Sequence, residues 1–533
     1  MSDGSGPTRV TDRTRHLARA GSIVLAGYVL ARGLGYLRVL VNGAIFGAGP
    51  ELDAFYVAFR LPDLVLNLVA TGALAAAVVP ALAGLVEGRD AARASRTASA
   101  LLTWGGLAFA IFGVALAVAA PVLVPALAPG FDESSRSLAV SLTREMAVAP
   151  LLLGVGSLVS GVLNAHRRFG PAIVGPIAYN VVTVACALLL SHELGIRALT
   201  LGVVIGSAAH LLVQLPALRG TGLRIRPSIS LADPGLRRAV ALLGPRAIGL
   251  STSQVQLIVV VALASTLPAG SVTAFTVAFT LFQIPAGLLG VPVGTVTLPE
   301  MTAEHARGGV LPLGQMATAG LRFVLFLALP VAAIGFALAP EAVTILFGYG
   351  RFDAADVAMA AAAVRLLFVS LPAESATTLV GRALYATDHT RAVILAAVAD
   401  FAATAALAVL LVGPLGLDGL ALAFVAGALI ESLVLVGRLR AIVTALDGAA
   451  ILAAGVRSGL LALGVGAAAW LVAGGVAALD AGPHGRIATA TAVGVATATA
   501  LSAYMGASVV LRAPEVALLR RALGRRRPRP AGL

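Results

Sequence analysis

The sequence has no lysine. Its 38 basic residues are all arginine and face 25 acidic ones, for a formal net charge of +13. A single cysteine, Cys186, excludes an internal disulfide and any Cys-cluster metal site. Charged residues make up only 12% of the chain, against about 25% in ordinary soluble domains, and no long polar stretch breaks the sequence. Together these exclude a large soluble domain. Aromatics are 5% and do not interleave with arginine as a nucleic-acid platform would, so no nucleic acid is expected. The motifs GxxxxGK[ST], HExxH, CxxC and GxSxG are absent, and carboxylates and histidines do not cluster as metal ligands. No cofactor, metal site or catalytic residue is expected. An intramembrane transferase working through dispersed Asp, Arg and His is the enzymatic alternative, although such enzymes usually carry larger polar loops.

What is present is apolar sequence of membrane-spanning length, repeated from end to end. The chain of 533 residues is 59% hydrophobic, with a mean hydropathy of +0.96. Fourteen candidate spans lie near 22–47, 61–86, 99–126, 138–163, 172–191, 198–217, 236–263, 272–296, 319–340, 357–384, 391–411, 417–436, 450–474 and 486–511. The basic first 20 residues precede a run long enough to span, so the reading is a first transmembrane helix and no cleaved signal. Arginines fall at the N-terminus, after the even-numbered spans and in the tail, while GAGPELD, GFDESS, STLPAGS and VGPLGLDG are arginine-poor. The positive-inside rule therefore places both termini in the cytoplasm, with anionic inner-leaflet lipid as a partner for the arginines.

A weak internal repeat accompanies this pattern. GFD at 130–132 matches RFD at 351–353, VVPALAG around Pro80 matches TLPEMTA around Pro299, and LNAHRRFGPAIV at 163–174 matches LYATDHTRAVIL at 384–395. All three separations are about 220 residues. The expected architecture is an all-α polytopic membrane protein of about 14 transmembrane helices, in two lobes related by a parallel repeat and suited to alternating access. Its parts are a basic N-terminus at 1–21, an N-lobe of six helices at 22–217, a C-lobe of six at 236–436, two further helices at 450–511, and a basic tail at 512–533.

Charges inside membrane-length helices are costly and usually face a cavity or a partner. Arg32 and Arg38 are six residues apart, so they lie on neighbouring faces about 9 Å apart along the axis. With Arg246 they could hold a pyrophosphate, because the planar guanidinium matches phosphate oxygens bidentately. Arg38 and Arg60 could instead snorkel to an interface or pair with Asp53 and Asp63. Arg144 and Glu145 are adjacent and share no helix face, so each needs its own inter-helix partner. Gln254 and Gln283 are polar positions inside spans. Asp400 and Glu431, in apolar surroundings, are candidates to titrate or receive a coupling cation, with a neutral hydrogen-bonded carboxyl equally open. His210 reads as a packing residue.

Several stretches resemble the MurJ (MviN) family, the lipid II flippase branch of the multidrug/oligosaccharidyl-lipid/polysaccharide exporter superfamily. They are FGAGPELDAFYVAFRLPDLV at 46–65, TGALAAAVVPALA at 71–83, APGFD at 128–132, LNAHRRFGPAIVGPIAYN at 163–180, GPRAIGLSTSQVQLIV at 244–259, IPAGLLGVPVGTVTLPEMT at 284–302 and LFGYGRFD at 346–353. The resemblance implies a flippase that carries an undecaprenyl-pyrophosphate-linked peptidoglycan precursor (lipid II) from the cytoplasmic to the outer leaflet of the bacterial inner membrane. It implies coupling to membrane potential or a monovalent cation gradient, and makes the cell-wall synthesis machinery a candidate partner. By the same resemblance Arg32 and Arg38 match cavity arginines, Asp53 the aspartate of the DAF motif, and Arg60 a basic residue before the LP step. Taken with the intramembrane polar residues above, Arg32, Arg38, Arg246 and Arg60 are assigned to substrate, and Asp53, Gln254, Gln283, Asp400 and Glu431 to gating or coupling.

The sequence also departs from the family pattern. Leu66 and Asn67 stand where an arginine pair is usual, Thr71 where a glutamate is, and Thr280 where the third cavity arginine is. Two alternatives follow, a paralogous flippase for another polyprenyl-linked or glycolipid substrate and a non-transporting membrane scaffold.

Overall fold

In a computed structural model, which describes residues 8–70, 73–443, 445–479 and 485–524, every regular element among the described residues is helical. Contacts divide the chain into two units, Met1–Thr273 and Ala274–Leu533. The first holds α1 (Thr8–Phe46), α2 (Pro50–Ala70), α3 (Ala73–Glu87), α4 (Ala91–Leu127), α5 (Glu133–Glu145), α6 (Ala149–Ala165), α7 (Phe169–Leu194), α8 (Arg197–Leu212), α9 (Leu215–Arg219) and α10 (Pro234–Ala264). The boundary falls three residues into α11 (Ser271–Ala306). The rest of the second unit is α12 (Val310–Ala337), α13 (Ala339–Phe347), α14 (Ala354–Ala386), α15 (Thr390–Ile442), α16 (Gly448–Leu479), α17 (Gly485–Val510) and α18 (Pro514–Gly524).

Eleven helical segments among the described residues are long and apolar enough to cross a membrane. Helices dominate because a hydrocarbon interior leaves backbone N–H and C=O groups no water to bond, and a helix satisfies them internally. The broad exposed apolar faces fit the same solvent. On α4, Val114, Val118 and Val122 are all more than half exposed, and Leu452, Leu460 and Leu463 line α16 in the same way.

The helix ends are set by local chemistry. Asp90, Asp132, Asp233 and Asp353 are the N-caps of α4, α5, α10 and α14, each accepting from a backbone N–H in the first turn. Asp132 and Asp353 are the aspartates of the two FD motifs, and Asp353 forms a reciprocal capping box with Asp356. Bonds from Ser135 and Ser134 hold the Asp132 carboxyl down at about 2. Long apolar stretches are divided without polar linkers. The run at 138–163 is interrupted by a 3-10 turn at Met146–Val148. Gly416, at φ 58°, breaks α15 two residues after Pro414, a backbone geometry that a side chain would strain. Helix α2 starts at Pro50, well before the span expected from 61, because Pro50 pre-sets the first turn and Glu51 and Asp53 complement its dipole. Asp53 and Arg60 are therefore helical residues.

Within the first unit, α3, α4, α6 and α10 share a core around Leu82, Leu101, Leu158, Val162 and Ala239. Within the second, α12, α14 and α15 pack Leu321, Val324, Leu379, Val380, Leu384 and Leu435. A separate cluster around Phe326 and Tyr504 ties α12 to α16 and α17. Below that cluster Glu515 of α18 is fully buried. It accepts from Arg322 Nε of α12 at 2.9 Å and from Arg457 of α16.

The α14 cap gives the first prediction. Asp353→Ala should lower the stability of the purified protein by about 1 kcal/mol, read as an earlier thermal midpoint, and Asp353→Asn should recover most of it.

Candidate functional site

The polar residues of the first unit gather where α1, α2 and α7 meet. On α1, Arg32 is bracketed by tyrosines one helical turn either side. Its Nε donates to Tyr36 Oη at 2.9 Å and its Nη1 to Tyr28 Oη at 3.1 Å. Both of these partners are phenols on its own helix, and they orient the exposed guanidinium. Arg38 is half-buried. Its Nη1 donates to Tyr179 Oη of α7 at 2.9 Å, and its guanidinium carbon lies 5.0 Å from the Phe59 ring centroid and 5.7 Å from that of Tyr179. Aromatic faces attract a cation through their quadrupole, so two rings and a phenol fix the charge of Arg38 in place.

Arg60 and Asp63 form an ion pair of 3.7 Å along α2, with side chains 10% and 19% exposed. Asn67 Nδ2 donates to Asp63 Oδ2 at 3.1 Å and to its carbonyl at 3.0 Å. The pair left open by the sequence is thus Arg60 with Asp63, and Asp53 has a different task. Asp53, 3% exposed, accepts from the backbone N–H of Gly270 at 2.7 Å, the N–H of Thr273 at 2.7 Å and the Thr273 hydroxyl at 2.6 Å. It fastens the start of α2 to the turn that opens α11. Gly270 makes this close approach with φ at 93°, its Cα hydrogen facing the Ala48 carbonyl, where a Cβ would collide.

The side chain of Arg246, Thr71 and the tail beyond 524 lie outside the described residues. Gln254 has a buried Oε1 with no hydrogen-bond partner among the described residues. His210 is buried and packs under Gly156 and Gly175, as a packing residue should. Arg144 and Glu145 take separate inter-helix partners, Ala117 O for Arg144 at 3.2 Å and Arg197 for Glu145 at 3.4 Å.

In the second unit, Thr280 donates to the Thr276 carbonyl at 2.6 Å, so its hydroxyl serves its own helix. Around it and the half-buried Gln283 stand aromatic rings. Phe279 and Phe282 each meet Phe424 edge-on, at 5.6 and 5.9 Å between centroids. Three carboxyl groups influence one another electrostatically: Glu374 of α14, and Asp400 and Glu431 from opposite limbs of the α15 break. Asp400 is 9% exposed and accepts from Thr404 Oγ1 at 3.0 Å. Gly427 lies directly against the Asp400 and Thr404 side chains, where any Cβ would collide with both. Among the described residues no group of His, Cys, Asp and Glu has the geometry of a metal site.

Reasoning from the residues placed Arg32, Arg38, Asp400 and Glu431 inside the spans but missed their supports. Tyr28 and Tyr36 flank Arg32 at helical spacing and could have been read. Phe59 and Tyr179 are brought to Arg38 only by tertiary packing.

The family described as lipid II flippase MurJ matches residues 43–478. The chain belongs to the MurJ family. It is 32% identical over 431 residues to the lipid II flippase MurJ of Burkholderia cenocepacia, covering 79% of this chain and 83% of that one. It is 29% identical over 414 residues to a probable lipid II flippase MurJ of Rhizobium tropici, covering 75% and 77%. Among solved structures it is similar to one titled lipid II flippase MurJ, inward closed conformation, with a TM-score of 0.76 and 18% identity over 94% of this chain and 99% of that one. It is also similar in fold to an inward-facing multidrug MATE transporter of the MOP superfamily, with a TM-score of 0.67 and 17% identity over 79% and 94%. MurJ membership makes this chain a transporter and not a chemical catalyst. Against the family pattern, Asn67 is a local partner of Asp63 and Thr280 of its own helix, so neither restores the missing charge.

Asp53 supplies the prediction from this site. Asp53→Ala would strand two backbone N–H groups and a hydroxyl in a buried turn, and should cost about 2–3 kcal/mol, seen as a lower unfolding midpoint in detergent.

Proposed function

We propose that this chain moves a polyprenyl-diphosphate-linked peptidoglycan precursor from the cytoplasmic to the outer leaflet of the bacterial inner membrane by alternating access. The observation that carries the reading is Arg38 of α1, set against Tyr179 and Phe59 in a chain of the MurJ family. A guanidinium held by a phenol and ring faces is positioned to give a diphosphate two parallel hydrogen bonds. Arg32 and Arg38 contact the diphosphate, and Arg246 adds a third cation. Arg60, committed to Asp63, sets the potential beside Arg38. Asp53 organises the extracytoplasmic gate, with Gln254 and Gln283 as polar positions along the moving helices. Asp400 and Glu431, with Glu374 beside them, receive the coupling proton or monovalent cation.

Fourteen crossings follow if the Gly416 break makes two spans of α15, and if α2 with α3 and α10 each add one. That count sets both termini in the cytoplasm, where the terminal arginines meet anionic lipid. The N-lobe and C-lobe, related by the 220-residue repeat, are the two halves of the transport cycle. The cell-wall synthesis machinery consumes the flipped product and is the natural physical partner.

A second reading, a paralogous flippase for another polyprenyl-linked or glycolipid substrate, is favoured by one observation. The positions of three missing family cations are filled by Leu66, Asn67 and Thr280, and the polar two of these have local structural partners.

The test is complementation in cells depleted of their own lipid II flippase, read as headgroup accessibility on the outer leaflet with membrane abundance checked. Wild type should rescue. Arg32→Ala, Arg38→Ala and Arg246→Ala should each lose rescue at normal abundance, and Tyr179→Phe should reduce flipping several-fold by loosening Arg38. Wild type that is abundant and inserted but inactive would favour the other substrate. Rescue by the arginine variants would overturn their assignment to the diphosphate.

A further inference from the structure

The extracytoplasmic end of the first unit carries a groove of about 510 Å³ between α4 and α5, away from the α1 arginines. Its walls include Pro121 of α4 and Arg136, Ser137, Ser141, Arg144 and Glu145 of α5. Most of these groups are already committed. Glu145 accepts from Thr200 at 2.7 Å and Ser141 at 3.2 Å and pairs with Arg197 at 3.4 Å. Arg136 is held by Glu133 at 3.3 Å and the Phe131 carbonyl at 3.1 Å. Arg144 differs. Its one hydrogen bond among the described residues runs from Nε to the Ala117 carbonyl at 3.2 Å. That bond orients the guanidinium at the groove and leaves both terminal nitrogens to donate to an anion.

The surroundings indicate what the anion is attached to. Ala117 and Pro121 sit beside Val118 and Val122 on α4, which are 74% and 75% exposed. With Val114 and Ile111 these valines form one apolar stripe running from the groove back along the helix. From residue 122 to 111 the stripe is roughly 16 Å long at 1.5 Å per residue, the scale of an acyl chain. A cationic donor at the head of an apolar track matches an amphiphile with a phosphate headgroup, and a free anion would have no use for the track.

We propose that this groove is a binding site for a bilayer phospholipid of the outer leaflet, its phosphate on the terminal nitrogens of Arg144 and one acyl chain along Ile111, Val114, Val118 and Val122. The site does not rest on the identity of the transported substrate. It holds a lipid that stays while the protein works, and it braces the 3-10 interruption that follows Glu145.

The experiment is native mass spectrometry of the full chain, purified from vesicles of phosphatidylethanolamine and phosphatidylglycerol. Wild type should retain a phospholipid adduct through detergent exchange. Arg144→Gln should weaken retention about tenfold, the value of one charge-assisted contact, and Arg144→Lys should keep most of it. Val118→Gln, which touches no hydrogen bond of the fold, should weaken long-chain lipids more than short-chain ones and stands in should Arg144→Gln misfold. Arg520→Gln, on α18, should change nothing. Equal retention in wild type, Arg144→Gln and Val118→Gln would overturn the proposal. Displacement of the adduct by millimolar inorganic phosphate would also overturn it, since the site would then read the anion alone.

Discussion

Everything in this chain depends on one constraint: a charged group in hydrocarbon must find its partner inside the protein, because no water is there to serve it. The few charges are handled in three distinct ways. Asp53 is surrounded by backbone N–H groups and a hydroxyl, so a carboxylate is converted into a fastener. Arg60 and Asp63 cancel each other along one helix. Arg32 and Arg38 are oriented by phenols and ring faces. The third arrangement falls on the two residues of α1 that the family resemblance assigns to substrate.

The membrane character and the helical class were legible from composition and run length, because hydrocarbon permits so few backbone solutions. The N-caps were legible in part. The two FD motifs stood out as a repeat, and in the structure both aspartates are N-caps with extended backbone. Helix limits were less so. The second span was expected from 61, yet its helix begins at Pro50, because apolar content marks the part of a helix in lipid and not where the helix starts. The division of α15 at Gly416 coincides with the Gly/Pro turn that separated two expected spans, while the break at Met146–Val148 has no comparable mark in the sequence.

At the candidate site the charged residues themselves could be read, since any arginine inside an apolar run is conspicuous. The supports brought by tertiary packing could not. Tyr179 lies 141 residues from Arg38, and nothing local reports that the two meet. The same holds for Glu374, which joins Asp400 and Glu431 only through the packing of α14 on α15. Gly427 is a further case. One more glycine in a glycine-rich chain carries no signal until Asp400 and Thr404 are seen pressed against it.

The buried Glu515 has a consequence in the order of synthesis. Arg322 enters the membrane in α12 and Arg457 in α16, but the carboxylate both need lies 193 and 58 residues further on. While the chain is still emerging from the ribosome, those two helices carry arginines without the carboxylate that pairs them in the finished fold. The second unit therefore acquires its lowest-energy arrangement only when α18 arrives.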